Sequence, residues 1–315
     1  MSLAGVLSAL LQIALVTVGS PLLVGVMRQI RARLEGRAGA GVLQPWRDLR
    51  KLARKQPVTP RGTSEVFRVA PLLMLATTVA VVAVAPFVTT ASVPAAGADL
   101  FVVVALLTLG AAALALAGLD TGTAFGGMGA SREITILALV EPTLLVAIFA
   151  LSVPVGSTNL ADIVTSTLHD PGRTITPASL LAAVALGLAV VAETGRLPVD
   201  NPSTHLELTM IHEAMVLEYA GPDLAMVELA SAMRLSVFLG LWATLFAPWG
   251  IAADAGVGAL ALGTGVLVVK VTALGAALAA GEVFLAKLRL FRVPELLAGS
   301  FVLALLAVVA SFFFA

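Results

Sequence analysis

Long apolar runs, broken by short polar connections, set the pattern of the chain. Eight of them approach or pass the roughly 20 residues that a helix needs to cross a bilayer's hydrocarbon core. They are Leu3 to Met27, Val69 to Thr90, Leu100 to Leu119, Ile134 to Pro154, Ala178 to Ala192, Leu224 to Phe246, Val257 to Ala280 and Leu296 to Phe314. The fifth is short unless it reaches back towards Thr174. Apolar residues are continuous within each run and do not alternate, which favours helices over barrel strands, and a helix satisfies its own backbone in lipid. The pattern predicts an all-α integral membrane protein of about eight transmembrane helices, forming one polytopic unit over residues 1–315. The first run has no basic residue ahead of it and is too long for a leader's apolar region, so it reads as a span and not as a signal peptide.

Composition agrees. Of 315 residues, 59% are hydrophobic and 12% charged, and mean hydropathy is +1.02, well beyond what filling a soluble core requires. Net charge is zero, so overall charge points to no partner, nucleic acid included. Cysteine is absent, which excludes disulfides, cysteine nucleophiles and thiolate-held clusters in this chain.

Charge distribution is more informative. Lys and Arg concentrate in the connections after the first, third, fifth and seventh runs: eleven between Arg28 and Arg68, then Arg132, Arg196, Lys287, Arg289 and Arg292. The opposite connections hold only Arg173. The positive-inside rule places the loops near 28–68, 120–133, 193–223 and 281–295 in the cytoplasm and both termini outside, across a plasma membrane. Most acidic residues lie on the same side, so one face is chemically busy and the other nearly bare.

The busiest stretch reads ETGRLPVDNPSTHLELTMIHEAMVLEYAG, from Glu193 to Gly221. Pro198 and Asn201-Pro202 end the fifth helix; Ser203 or Thr204 then offers a cap for an amphipathic loop helix closed by Gly221-Pro222. His205 and His212 would share one face of it, Glu207 and Glu218 another. These groups are either a solvated loop surface or a working one. His212-Glu213 resembles the start of a zinc-protease helix, but Val216 stands where its second histidine belongs, so metal ligation is not expected.

Glu193, Arg196, Pro198 and Asp200 resemble the E-x-x-R-x-P-x-D loop of the respiratory complex I subunit 1 family. The following DNPSTHLELTMIHEAMVLEYAG is similar to the version in membrane subunits of formate hydrogenlyase and hydrogenase-4 complexes. Gly126-Gly127-Met128-Gly129 with Ser131-Arg132-Glu133, read here as a loop, and Glu141-Pro142 also fit that likeness. Val199 replaces the aromatic residue usual in complex I, which shifts the resemblance towards the hydrogenase branch.

The resemblance implies a non-catalytic membrane subunit that docks a soluble redox module on the cytoplasmic face and passes energy to antiporter-like membrane subunits. The docked module would carry a nickel-iron centre in a large subunit and iron-sulfur clusters in a small one. Arg132, Arg196, Asp200, His205 and His212 are then candidates for docking and loop order. A quinone-site subunit of a complex I-type enzyme, with His205, His212 or Tyr219 at the quinone, is the second reading. A stand-alone secondary transporter is the third, although no inverted repeat is evident.

Ionisable residues within membrane segments are costly and usually face the bundle interior. Glu141, Glu228, Arg234 and Lys270 are of this kind. With Glu193, Glu207, Glu213 and Glu218 they suggest a proton relay of carboxylates and bases. Static pairing of Glu228 with Arg234, or of Glu141 with Lys270, explains burial equally well at this stage. Finally, Gln44-Pro45-Trp46-Arg47-Asp48 with Lys51, Arg54 and Lys55 predicts a surface helix whose basic residues face lipid phosphate or a docked subunit.

Overall fold

Long helices run between a charge-rich face and a bare one. The computed structural model describes residues 3–91, 97–200, 210–253, 256–286, 288 and 292–313. In chain order the helices are α1 (Leu3–Leu34), α2 (Gln44–Ala53), α3 (Glu65–Val84), α4 (Leu100–Asp120), α5 (Ala124–Ser152), α6 (Leu160–His169), α7 (Pro177–Glu193), α8 (His212–Val216), α9 (Gly221–Phe246), α10 (Val257–Phe284) and α11 (Val293–Phe313). Helices α1, α3, α4, α5, α9, α10 and α11 are long and apolar enough to span a membrane, and α7 is an apolar helix of 17 residues. The chain is a multi-pass membrane protein. Among the described residues there is no strand, only the isolated bridges Thr89 with Ala252 and Asp99 with Asn159.

Those bridges tie the bare face, where α3 and α9 end and α4 and α6 begin. Gln12, buried on α1, completes that end: its amide donates to the Ala85 carbonyl at 2.7 Å and accepts from the Val88 backbone at 3.0 Å. It supplies partners that the terminating backbone of α3 would lack in lipid.

Helix limits depart from the apolar runs where local chemistry intervenes. Helix α3 stops at Val84, short of Thr90, because Pro86 forces Ala85 into an extended conformation. Helix α5 starts at Ala124, ten residues before the run at Ile134, so the Gly126-Gly127-Met128-Gly129 stretch read as loop is helical. Thr123 caps it by accepting from Gly126, and the glycines are there for close packing. A Cβ at Gly126 would run into the Gly118 carbonyl, and one at Gly129 would lie 2.9 Å from Ala214. Helix α7 does not reach back through Thr174; Thr176 caps it and a 3-10 turn occupies Pro171–Ile175.

The amphipathic loop helix is also shorter than expected. His205 and Glu207 lie outside the described residues, and from Met210 onward only His212–Val216 is helical. This α8 is no solvated surface element. Ala214, Met215 and Val216 are buried, packed against α4 and α5 over Gly118 and Gly129. Helix α2, by contrast, forms where the sequence placed it, lying against α1 and α9 with the Trp46 indole donating to the Val18 carbonyl at 3.2 Å. Helices α5, α7 and α11 pack together on the other side, and α10 runs at the edge against α1 and α9.

Candidate functional site

Short α7 creates the site. At about 1.5 Å per residue it spans roughly 25 Å, so its last residue, Glu193, sits level with the middle of α9. There it forms an ion pair with Arg234. The second guanidinium nitrogen of Arg234 donates to the Leu107 carbonyl of α4 at 2.7 Å, and the guanidinium carbon lies 5.7 Å from the Phe238 ring centroid. Gly110 leaves α4 thin at this point, since a Cβ would come within 3.1 Å of that guanidinium. The two side chains are 3% and 6% exposed. Such a pair is tolerable only because each charge supplies the other's partner.

Around it opens a cavity of about 370 Å³. Glu133 of α5, Glu193, Asp200, Glu213 of α8 and Glu228 of α9 contribute carboxylates, with Arg234 among them. Glu133 and Glu193 both lie within electrostatic reach of Arg234, and Glu141, two turns beyond Glu133 on α5, is within reach of Glu193. A second charged group stands across the cavity. Glu282, near the end of α10 and 2% exposed, binds Arg31 of α1 at 3.2 Å and Arg196 at 3.4 Å. Burial pulls the Arg196 guanidinium below its ordinary pKa, with Glu282 acting against that pull; a guanidinium starts high enough to stay charged.

The loop that follows α7 is held from both sides. The Leu288 backbone donates to the Pro198 carbonyl at 2.9 Å, and buried Asp200 accepts from the His212 backbone at 3.4 Å. Arg132 donates to the Met210 carbonyl at 2.7 Å, and the His212 Nε2 lies 3.4 Å from the Ser231 hydroxyl. Tyr219 is buried away from the cavity; its ring stacks on Phe67 at 4.1 Å and its hydroxyl donates to the Phe67 carbonyl at 2.8 Å. Burial, then the Asp223 and Asp120 charges, push that hydroxyl above its usual pKa, which keeps it a donor.

Proteins of known kind share this chain's sequence and shape. A family model described as NADH dehydrogenase matches residues 7–313. Hydrogenase-4 component C of Escherichia coli is 35% identical over 266 residues, 84% of this chain and 83% of the relative. Formate hydrogenlyase subunit 4 of the same organism is 34% identical over 306 residues, 97% and 98% of the two chains. The chain belongs to the NADH dehydrogenase, or complex I subunit 1, family. An NADH-quinone oxidoreductase membrane-family relative from Burkholderia vietnamiensis is 31% identical over 66% of this chain and 60% of that protein. In the solved structure of the membrane-bound sulfane sulfur reductase, an archaeal respiratory membrane complex, one chain has the same fold, with a TM-score of 0.84 at 22% identity over 97% and 98% of the two chains.

For this complex I subunit 1 relative, the cavity gathers Glu193, Arg196, Asp200, His212, Glu213 and Glu228 from the residues that sequence singled out. Glu141 and Glu218 stand outside its lining, and Arg132 braces the loop beside it. Lys270 is elsewhere: its ammonium group meets the Ala247 and Trp249 carbonyls at the end of α9 on the bare face, where a cation suits the negative end of the helix dipole. Neither static pair weighed from sequence forms. Glu228 and Arg234, six residues apart, point to different sides of α9, and Arg234 takes Glu193 instead. Glu133, Arg31 and Glu282 were missed as cavity groups. Glu133 lies eight residues before Glu141, a spacing visible as one helix face only once α5 is begun at Ala124; Glu282 was assigned to a loop because it follows the last apolar run. Of the groups considered for a quinone, His212 lines the cavity, Tyr219 is committed to Phe67, and His205 is outside the described residues.

Proposed function

We propose that this chain is the membrane-anchoring and energy-coupling subunit of a formate hydrogenlyase- or hydrogenase-4-like oxidoreductase in the plasma membrane. Its charged face turns to the cytoplasm and docks a hydrogenase-like large subunit and an iron-sulfur small subunit; antiporter-like subunits lie beside it in the bilayer. The nickel-iron centre and the clusters belong to the docked subunits, and this chain supplies the carboxylates through which turnover is felt in the membrane. One observation carries the reading: a cavity behind the charged face in which carboxylates from α5, α7, α8 and α9 surround the buried Arg234. Closely placed acids with one fixed base form a set whose proton occupancy responds to an added charge nearby. The high-coverage relatives of the hydrogenase branch support the choice of partner type.

Purified with its native partners and reconstituted in liposomes, the complex should move protons in proportion to redox turnover. Glu141→Gln should keep assembly and turnover while lowering protons moved per electron pair. Recovery of this chain alone from gently solubilised membranes, or absence of proton movement in the native complex, would overturn the proposal.

A further inference from the structure

The acidic half of the cavity has a basic counterpart that the proton-coupling reading leaves unused. Arg28, Arg31 and Arg196 all line the cavity and are answered by a single carboxylate, Glu282. Arg28 is exposed, lies within electrostatic reach of Arg196, and has no hydrogen bond or ion pair among the described residues. This side of the cavity therefore carries surplus positive charge with unspent N–H donors, because each guanidinium has five.

Depth identifies what would answer that charge. Helix α1 has 32 residues and runs about 48 Å, against a hydrocarbon core of about 30 Å. Counted from Leu3, the core ends near Leu23, so Arg28 and Arg31 fall about 7–12 Å beyond it, at the level of lipid headgroups. Immediately deeper, Val24 of α1 faces Leu49 and Leu52 of α2 along the same cavity wall. Guanidiniums at phosphate height above an apolar wall match one chemistry: an anionic amphiphile, its phosphate on the arginines and its chains along the α1–α2 side. The cavity volume of about 370 Å³ is at the small end for ligand sites, which suits a headgroup and the start of its chains, with the remaining chain length in the bilayer.

The geometry points to a phosphate-binding lipid site in which Arg28, Arg31 and Arg196 hold the headgroup of an anionic phospholipid between α1 and α2. Arginine is suited to this, since its planar fork meets phosphate oxygens in pairs. Glu282 acts as a positioning residue, keeping two of the three forks turned to the cavity. The site is independent of whether the complex moves protons, because it is defined by lipid occupancy and not by turnover.

Native mass spectrometry of the intact complex, after exchange into phosphatidylglycerol or phosphatidylcholine nanodiscs and gentle detergent release, tests it. Phosphatidylglycerol should survive release and phosphatidylcholine should not. Arg28→Gln, chosen because that side chain supports no other contact, should lower retention about fivefold, the effect of one basic residue at an anionic surface. Leu52→Trp, which fills the apolar wall, should also expel the lipid while leaving all three arginines. A photoreactive phosphatidylglycerol should label α1 or α2. Equal retention of both lipids, or no effect of either substitution, would overturn the site. Displacement by millimolar inorganic phosphate would reassign it to free phosphate, and a docked subunit's carboxylate cross-linked at Arg28 would reassign it to protein; both outcomes sink the lipid.

Discussion

Arg234 stands where a charge is most expensive, halfway along a membrane helix, and the surrounding residues are arranged to accept it. Glu193 neutralises it, the Leu107 carbonyl takes a second donor, and the absent Cβ of Gly110 makes the room. Removing one member should therefore hurt more than removing both. Arg234→Met strands Glu193 and should cost about 3–5 kcal/mol, whereas Arg234→Met with Glu193→Gln should recover most of it. The thermal midpoints of the four solubilised variants complete the cycle; equal losses in single and double variants would mean that the pair contributes nothing as a pair. Tyr219 tests a smaller effect. Tyr219→Phe keeps the stack on Phe67 and deletes one buried hydrogen bond, so about 0.5–1.5 kcal/mol should be lost.

At the scale of elements, glycine decides where the charged-face loops can dock. Gly221 has φ of 61° and starts α9, and a Cβ there would meet the Gln56 carbonyl at 2.7 Å. Gly221→Ala should cost about 1–3 kcal/mol from backbone strain alone. It should also loosen the neighbouring loop, read as faster proteolysis between α7 and α9. Gly127, with open space at its Cβ position, is the control: in the helical α5, alanine should be neutral or stabilising by about 0.5–1 kcal/mol. These glycines also explain what could be read in advance. The apolar runs gave every spanning helix, because hydrocarbon imposes length and polarity directly. They misplaced the start of α5, because Gly126 and Gly129 look like loop formers until the neighbours they admit, Gly118 and Ala214, are known. The E-x-x-R-x-P-x-D acids were legible as a motif. Their partners were not: Glu193 meets Arg234 across 41 positions and Arg196 meets Glu282 across 86, and nothing local encodes such separations.

For the whole molecule, the functional reading depends on which compartment the charged face meets. Connections on that face carry nearly all the Lys and Arg, in short loops where the positive-inside rule applies best. The same face bears the cavity, so orientation decides whether a cytoplasmic redox partner can reach it at all. Absence of cysteine makes the test clean, as a single introduced thiol has no background. Thr59→Cys marks the exposed connection between α2 and α3; Ala253→Cys marks the exposed one between α9 and α10. A membrane-impermeant maleimide should label Ala253→Cys in spheroplasts and leave Thr59→Cys untouched, and inside-out vesicles should give the opposite pattern. A docked subunit adds a second signature. Washing it from inside-out vesicles with salt, which screens charge-matched contacts, should raise labelling at Thr59→Cys and leave Ala253→Cys unchanged. Labelling of Thr59→Cys in intact spheroplasts would put the acids and arginines on the outer side, where no cytoplasmic redox module can dock, and would leave the cavity without the partner that its charges are proposed to answer.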